Sequence, residues 1–311
     1  MTIRHLDVVM YHYVRDPART RFPRIKGMHR DDFRQQICAL KKRYEMATLE
    51  SVLAFLSGEY HPQRDLCLLT FDDGLKEHFT EVTPILAEHD VQGLFFVVSS
   101  CIENREIAPV HMNHCLMAAL EFDEYRQAFL ESCAGLDGAN GDVHVDASAA
   151  ARTYPWDTTE VAQFKYLFNF KLKPAHRDHA VRVLFERYLG SEREHASELY
   201  LTWDEARSMQ AAGMLMGGHS HRHQPLSSYE AEDLRDDLET SWGLMESNLT
   251  PQEVWPFSYP YGKRQSFNQN VVEHLRQLRF QCAFTTENGS NTPGDNLFEL
   301  RRLDCKQISA T

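Results

Sequence analysis

Short apolar runs that end in polar residues alternate along the chain with stretches whose apolar side chains recur at helical spacing. Residues 6–11, 66–71, 93–98, 214–218, 254–258, 282–285 and 298–303 read as strands. Between them, residues 32–44 carry Phe33, Ile37 and Leu40 on one helical face, and residues 77–89 carry Val82, Ile85 and Leu86. A strand followed by an amphipathic helix is the unit of a parallel α/β sheet, and about seven such repeats predict a barrel. Residues 103–199 break the rhythm: they offer no strong strand, while 118–129, 161–170 and 176–188 look helical. The pattern predicts a barrel built from 1–102 and 200–311 with a helical insertion at 103–199. Within the insertion, 135–147 is rich in glycine and small or acidic residues and reads as a loop.

Composition narrows the class of protein. With 42% hydrophobic and 25% charged residues in a chain of 311, there is apolar material for a sizeable core, which excludes disorder as the main state and a small stapled scaffold. Asp and Glu number 45 against 33 Lys and Arg, a net charge of −12. Such a surface repels phosphate backbones and anionic lipid, so no nucleic-acid partner is expected. The seven cysteines are scattered and form no C-x-x-C pair, a usage that fits reduced thiols and a cytoplasmic protein. No run of about 18 apolar residues occurs, and the N-terminus reads as a strand with charges inside it, so neither a membrane span nor a targeting segment is expected.

Three segments carry chemistry. Thr70-Phe71-Asp72-Asp73-Gly74 ends an apolar strand in two adjacent carboxylates. Barrel enzymes keep catalytic groups at strand ends, and neighbouring carboxylates repel unless a cation neutralises one of them; a turn with two solvated acids is the alternative. Gly218-His219-Ser220-His221-Arg222-His223 follows a second short strand. His219 and His223 lie four apart, so a helical turn after Gly218 would put both on one face, as in metal-binding helices, and turn His221 elsewhere; an ordinary surface pair is the alternative. One Asp and two imidazoles leave positions open on a divalent ion, the mark of a catalytic site. The third segment runs from Trp255 to Gly262, where two prolines and a terminal glycine stiffen the backbone as it leaves the sheet. It either aims the Tyr261 N–H as an anion donor or packs as a rigid aromatic turn.

Taken together, Thr70-Phe71-Asp72-Asp73-Gly74, His219-Ser220-x-x-His223 and Phe257-x-Tyr259-Pro260-Tyr261-Gly262 resemble the successive signatures of the polysaccharide deacetylases, the carbohydrate esterases of family four. The resemblance covers 1–102 and about 200–303. It implies a distorted (β/α)7 barrel and metal-dependent hydrolysis of an N-acyl, sometimes O-acyl, group on a sugar. By position it implies Asp72 as general base, Asp73, His219 and His223 as ligands of one divalent metal ion, and Tyr261 as backbone donor to the oxyanion. The ligand set fits zinc, with cobalt, nickel or manganese as alternatives.

Two departures from the family pattern matter. Many members carry an Arg where Ser258 stands, and this chain follows the Tyr-Pro-Tyr-Gly variant without it; Arg301 and Arg302 are the candidates to restore a cation near Asp72. The family also ends in a hydrophobe-x-His strand that supplies the general acid, yet after Tyr261 the only histidine is His274, which reads as structural. A closed barrel places its first and last strands side by side, so a strand lost at one terminus can be supplied at the other. Met10-Tyr11-His12 fits that role, with His12 expected as general acid across the metal from Asp72; a loop histidine making ordinary hydrogen bonds is the alternative.

The expected function is removal of an N-acyl group from an amino sugar in a surface polysaccharide, a lipid-linked glycan or a sugar nucleotide. A non-sugar amidase on the same barrel and a catalytically silent sugar-binding member are the competing readings. Weaker signals point to structure: His111 and His114 to a solvated helix face, and Phe164, Tyr166, Phe168 and Phe170 to packing of the insertion, for which a lid or acceptor-recognition role is a further expectation.

Overall fold

The computed structural model describes residues 4–134 and 144–308. Most of the loop expected at 135–147 lies outside the described residues, and Ala147 already opens the helix Ala147–Thr153. Seven strands form one parallel path: β1 (Leu6–Tyr11), β2 (Leu66–Phe71), β3 (Gly93–Val97), β4 (Leu215–Gly218), β5 (Pro256–Ser258), β6 (Cys282–Phe284) and β7 (Leu303–Asp304), in the order β7-β1-β2-β3-β4-β5-β6. A short strand, Glu45–Met46, also pairs with β2. Leu303 lies opposite Val9 of β1, while Leu300 bridges Phe284 of β6, so one segment touches both β1 and β6 and closes the distorted barrel. β7 is shorter than the run at 298–303 predicts. Its ladder is interrupted because the Arg301 N–H donates to the Asn291 side chain and the Arg302 N–H to the Glu287 carbonyl, both in the preceding loop.

The strands read clearly from sequence because a parallel barrel buries both faces: every residue of β1 and β2 is buried. Alternation then sorts the side chains. Leu6, Val8, Leu66, Leu68, Leu94, Phe96, Cys282, Phe284 and Leu300 meet inside the barrel. Val9, Tyr11, Leu69, Phe71, Phe95, Met216 and Phe257 belong to the outer cluster that packs against helices. Carried on to the carboxyl ends of the strands, the inward parity falls on His12, Asp72, His219, Ser258 and Arg302.

The chain divides into two compact units, Met1–Asp16 with Gly27–Glu106 and Ala196–Thr311, and Pro17–Lys26 with Ile107–His195. The second is helical, with Pro109–Ala119, Phe122–Ala134, Thr159–Phe170 and Pro174–Leu189 as its longer helices. Phe164 sits edge-on to both Tyr125 and Phe129, and Phe168 is fully buried, so the aromatic cluster is core. Three expectations need correction. The helix expected over 118–129 is two helices, because Arg24 takes the Ala118 and Leu120 carbonyls and pairs with Glu121 where a continuous helix would run on. The same contacts, with Lys26 on Asp157, explain why 17–26 belongs with the helical unit and not with the barrel. His111 is 1% exposed, not solvated. No helix among the described residues is long and apolar enough to cross a membrane.

At Gly217 β4 approaches its neighbours closely: a Cβ there would lie 2.5 Å from the Pro256 carbonyl oxygen and 2.7 Å from the Phe96 ring. Gly217→Ala is therefore expected to destabilise the protein by about 1–3 kcal/mol, read as a lowered urea midpoint; an unchanged midpoint would contradict this approach.

Candidate active site

β2 carries Thr70 and Asp72 inward, and strict alternation would turn Asp73 outward. Instead Asp73 takes a left-handed conformation, φ 83°, with Gly74 following at φ 63°. The reversal lets two consecutive carboxylates serve the same end of the barrel. Asp73 Oδ1 lies 3.5 Å from His219 Nε2 and 3.3 Å from His223 Nε2, and the three residues are buried. The His219 Nδ1 lies 2.7 Å from the Ser258 carbonyl. A carbonyl only accepts, so a proton sits on Nδ1 and Nε2 is left facing the Asp73 carboxylate. An imidazole nitrogen and a carboxylate this close call for a positive charge between them, a second ring proton or a cation. Burial lowers the proton affinity of His219, but the hydrogen bond to Asp73 and the charges of Asp72 and Asp73 more than reverse that. One divalent cation would satisfy all three groups at once, so this donor set can hold a metal ion.

The two histidines do not share a helix, contrary to the spacing argument. After Gly218 the chain makes an irregular loop with Ser220 at φ 63° and His223 at φ 53°. The backbone groups a helix would use internally are taken elsewhere. Asp237 accepts the N–H groups of His221 (2.8 Å) and Arg222 (3.0 Å), the Ser99 N–H donates to the Ser220 carbonyl, and the His223 N–H donates to Ser220 Oγ. His221 Nδ1 sits 2.9 Å from Ser99 Oγ, which turns its ring away from Asp73.

Of the two arginines left open by the sequence, Arg302 is the one at the site. It is 1% exposed and meets Asp72 in a fork, Nη1 to Oδ1 at 2.9 Å and Nη2 to Oδ2 at 2.7 Å. It also donates to Ser258 Oγ, Thr70 Oγ1 and the Thr285 carbonyl. Arg301 pairs with Asp295. Ser258 thus leaves room for a guanidinium arriving from another strand and offers it an acceptor. Burial alone would raise the Asp72 pKa, but the Arg302 charge, followed by His219 and His12, holds it at about 2. Asp72 is therefore a carboxylate at neutral pH.

β1 and β7 are parallel neighbours, and the His12 Nε2 lies 3.8 Å from Asp72 Oδ2. The ring stands beside Asp72 and not across from it. Register is the reason: Tyr11 is the ladder partner of Phe71, so the next residues, His12 and Asp72, emerge at one level. The His12 side chain is 41% exposed against 2% for Asp72. Tyr261 takes φ 62° and its ring lies 5.1 Å from that of His223. Thr286 clamps this turn, its hydroxyl donating to the Tyr261 carbonyl (2.8 Å) and its N–H to that of Gly262 (2.9 Å). His274 bonds to the Asn270 carbonyl of its own helix, a structural contact.

Sequence reasoning missed Asp237, Thr286 and His78. Nothing in the acidic helix Ala231–Asn248 distinguishes Asp237 from Asp233 or Asp236. His78 had a signal, a polar residue at helical spacing between the apolar Leu75 and Val82.

Removing the guanidinium would strand a buried carboxylate. Arg302→Met is expected to lower stability by about 3–5 kcal/mol and Arg302→Lys, which keeps charge but not the fork, by less. Urea unfolding at the wild-type midpoint in both variants would show that the pair does not hold this end of the barrel.

A sequence model of the polysaccharide deacetylase family matches residues 59–126 and 176–283, more than half of the chain. No curated protein sequence matches it. Among solved structures, it is similar to the Streptococcus pyogenes deacetylase PplD in complex with acetate, with 16% identity, a TM-score of 0.59, and 97% of this chain and 93% of that one covered. It is similar also to IcaB from Ammonifex degensii, with 18% identity, a TM-score of 0.57, and 98% and 93% covered. A de-N-acetylase from Aggregatibacter actinomycetemcomitans gives 16% identity, a TM-score of 0.56, and 96% and 94% covered. At such identities the structures establish the fold, and the family match rests on sequence. The barrel closed by β7, the motif residues gathered at its strand ends and the matched sequence agree: the chain belongs to the polysaccharide deacetylase family, enzymes that hydrolyse N-acetyl amide bonds of glycans.

Proposed function

We propose that this protein is a metal-dependent hydrolase that removes an N-acyl group, acetyl or similar, from an amino sugar in a surface polysaccharide, a lipid-linked glycan or a sugar nucleotide. The observation that carries the reading is the division of labour between adjacent carboxylates: Asp73 faces two imidazoles while Asp72 is held by Arg302. Asp73, His219 and His223 would hold one divalent ion, zinc by its donor set, with cobalt, nickel or manganese as alternatives. When bound, the ion supplies Lewis acidity toward the acyl carbonyl and a water of lowered pKa.

The chain's own residues do the rest. Asp72, ionised and immobilised by Arg302, accepts the proton of the attacking water. The Tyr261 N–H, on the turn clamped by Thr286, donates to the developing oxyanion. His12 is the solvent-reachable member and gives its proton to the leaving amine, and its place beside Asp72 provides a short path for that proton. Acetate, present in the Streptococcus pyogenes structure, is the acid such a reaction releases. Cytoplasmic action belongs to the same reading and is supported by the free thiols of Cys38, Cys67, Cys133, Cys282 and Cys305.

The direct experiment is incubation of metal-loaded protein with a panel of N-acetylated and N-formylated sugar nucleotides and oligosaccharides beside non-sugar amides, scoring released acid and amine by mass. Turnover confined to the non-sugar amides would replace the reading with that of an amidase. About one divalent ion per chain is expected; His219→Ala should lose metal and activity together, whereas Asp72→Asn should keep metal and lose turnover. Failure to take up any metal on reconstitution would overturn the proposal. For His12→Ala, amide turnover should fall about 10²–10⁴-fold with metal content and unfolding midpoint retained, while an ester with a good leaving group suffers less.

A further inference from the structure

β2 leads into the pair of aspartates, and the chain then makes a single wide π-helical turn, His78–Val82, before the helix Thr83–Glu88. Turns of this type are uncommon and often sit at functional sites. The first residue of the turn, His78, is fully buried, its ring set between those of Phe71 (centroids 5.7 Å) and Phe95 (5.6 Å). An aromatic box is an unfavourable place for an imidazole, and burial pushes the His78 pKa down to about 4, so the ring is neutral at neutral pH. Its Nε2 lies 2.8 Å from the His12 carbonyl oxygen. Because that oxygen can only accept, the single ring proton is on Nε2, and Nδ1 is buried with no hydrogen-bond partner. A phenyl ring would fill the same box without an orphaned nitrogen, so the one thing imidazole adds here is the bond to His12.

That bond completes a two-point fixation. The peptide group before the His12 Cα is held by the Tyr11 carbonyl, which accepts the Asp72 N–H at 3.0 Å. The peptide group after it is held by the His12 carbonyl on His78. With both flanking peptide planes anchored, φ and ψ of His12 are set, and with them the direction in which its Cβ leaves the backbone. His12 lies beyond the last residue of β1, so the sheet ladder anchors only one side of it. The geometry points to His78 as a positioning residue that aims the His12 ring at Asp72 and the reacting amide. The inference rests on the reading of His12 as general acid and adds to it a residue at a position that none of the signature motifs includes.

Two measurements test it. In protein labelled with ¹⁵N-histidine, the His78 ring at neutral pH should give the Nε2–H tautomer with an unprotonated Nδ1; an Nδ1–H tautomer would overturn the inference without any variant being made. The second is a cycle of His78→Phe, His12→Ala and the double variant. It is assayed on the N-acetylated oligosaccharide that the panel identifies and on p-nitrophenyl acetate, with metal content and urea midpoint measured alongside. His78→Phe should keep its metal and its KM and lose about 10–100-fold in kcat on the amide, the scale of a catalytic group displaced by about 1 Å, with a smaller loss on the ester. His78→Gln, whose amide can donate in the same direction, should restore most of the rate. In the His12→Ala background the His78→Phe loss should vanish. If His12→Ala is slow but His78→Phe is as fast as wild type, or loses as much in the His12→Ala background, His78 does not act through His12 and this inference alone falls. If His12→Ala itself turns over the amide normally, the general-acid assignment falls and the inference with it.

Discussion

A guanidinium and a carboxylate, Arg302 and Asp72, meet in the interior of the barrel with almost no access to water, and the rest of the site is arranged around them. Taking both charges out of water is costly, and it is offset only when geometry is good and the remaining donors are used. Here they are: two nitrogens grip Asp72, and the guanidinium also reaches Ser258, Thr70 and the Thr285 carbonyl. The pair bridges the segment entering β7 and the end of β2, which lie on either side of β1 in the sheet. Barrel closure and the ionisation state of Asp72 are therefore one problem. A chain that failed to seat its last strand would leave Asp72 buried without a counter-charge.

Around that pair, parallel register does most of the positioning. Side chains that alternate along neighbouring strands arrive at the carboxyl ends on a common inward parity, which brings His12, Asp72, His219, Ser258 and Arg302 to one end of the barrel from widely separated parts of the sequence. Where alternation would point a needed group the wrong way, the backbone departs from it. Among the described residues, seven non-glycine residues have positive φ, and four of them are Asp73, Ser220, His223 and Tyr261. Strain of this kind persists only when the surroundings over-determine it. The surroundings are identifiable: Asp237 and Ser99 on the histidine loop, Thr286 on the Tyr261 turn.

What was legible from sequence follows physical rules that act locally. The bounds of β1 and β2 were readable because strands buried on both faces are continuous apolar runs. Asp72, Asp73, His219, His223 and Tyr261 stood out because few residue types can coordinate a cation or stabilise an oxyanion, and these sit at strand exits. The route by which His219 and His223 meet was not legible. Spacing of four invites a helix, and only the distant acceptor Asp237 and the hydroxyl of Ser99 explain why the loop takes another path.

The amino-acid sequence by itself determined the α/β barrel, the helical character of the residues between β3 and β4, and the types of group available for chemistry, because these depend on periodicity and side-chain identity within short windows. Tertiary structure alone decided between Arg301 and Arg302: adjacent residues near a strand face opposite ways, and which one faces inward depends on register with strands far off in the chain. It decided likewise that His12 stands beside Asp72, since the pairing of Tyr11 with Phe71 sets that level, and that His78 touches His12 across 66 positions of sequence. Register, closure and the choice of hydrogen-bond partner for a buried polar atom are properties of the packed whole, and no window of sequence contains both members of such a pair.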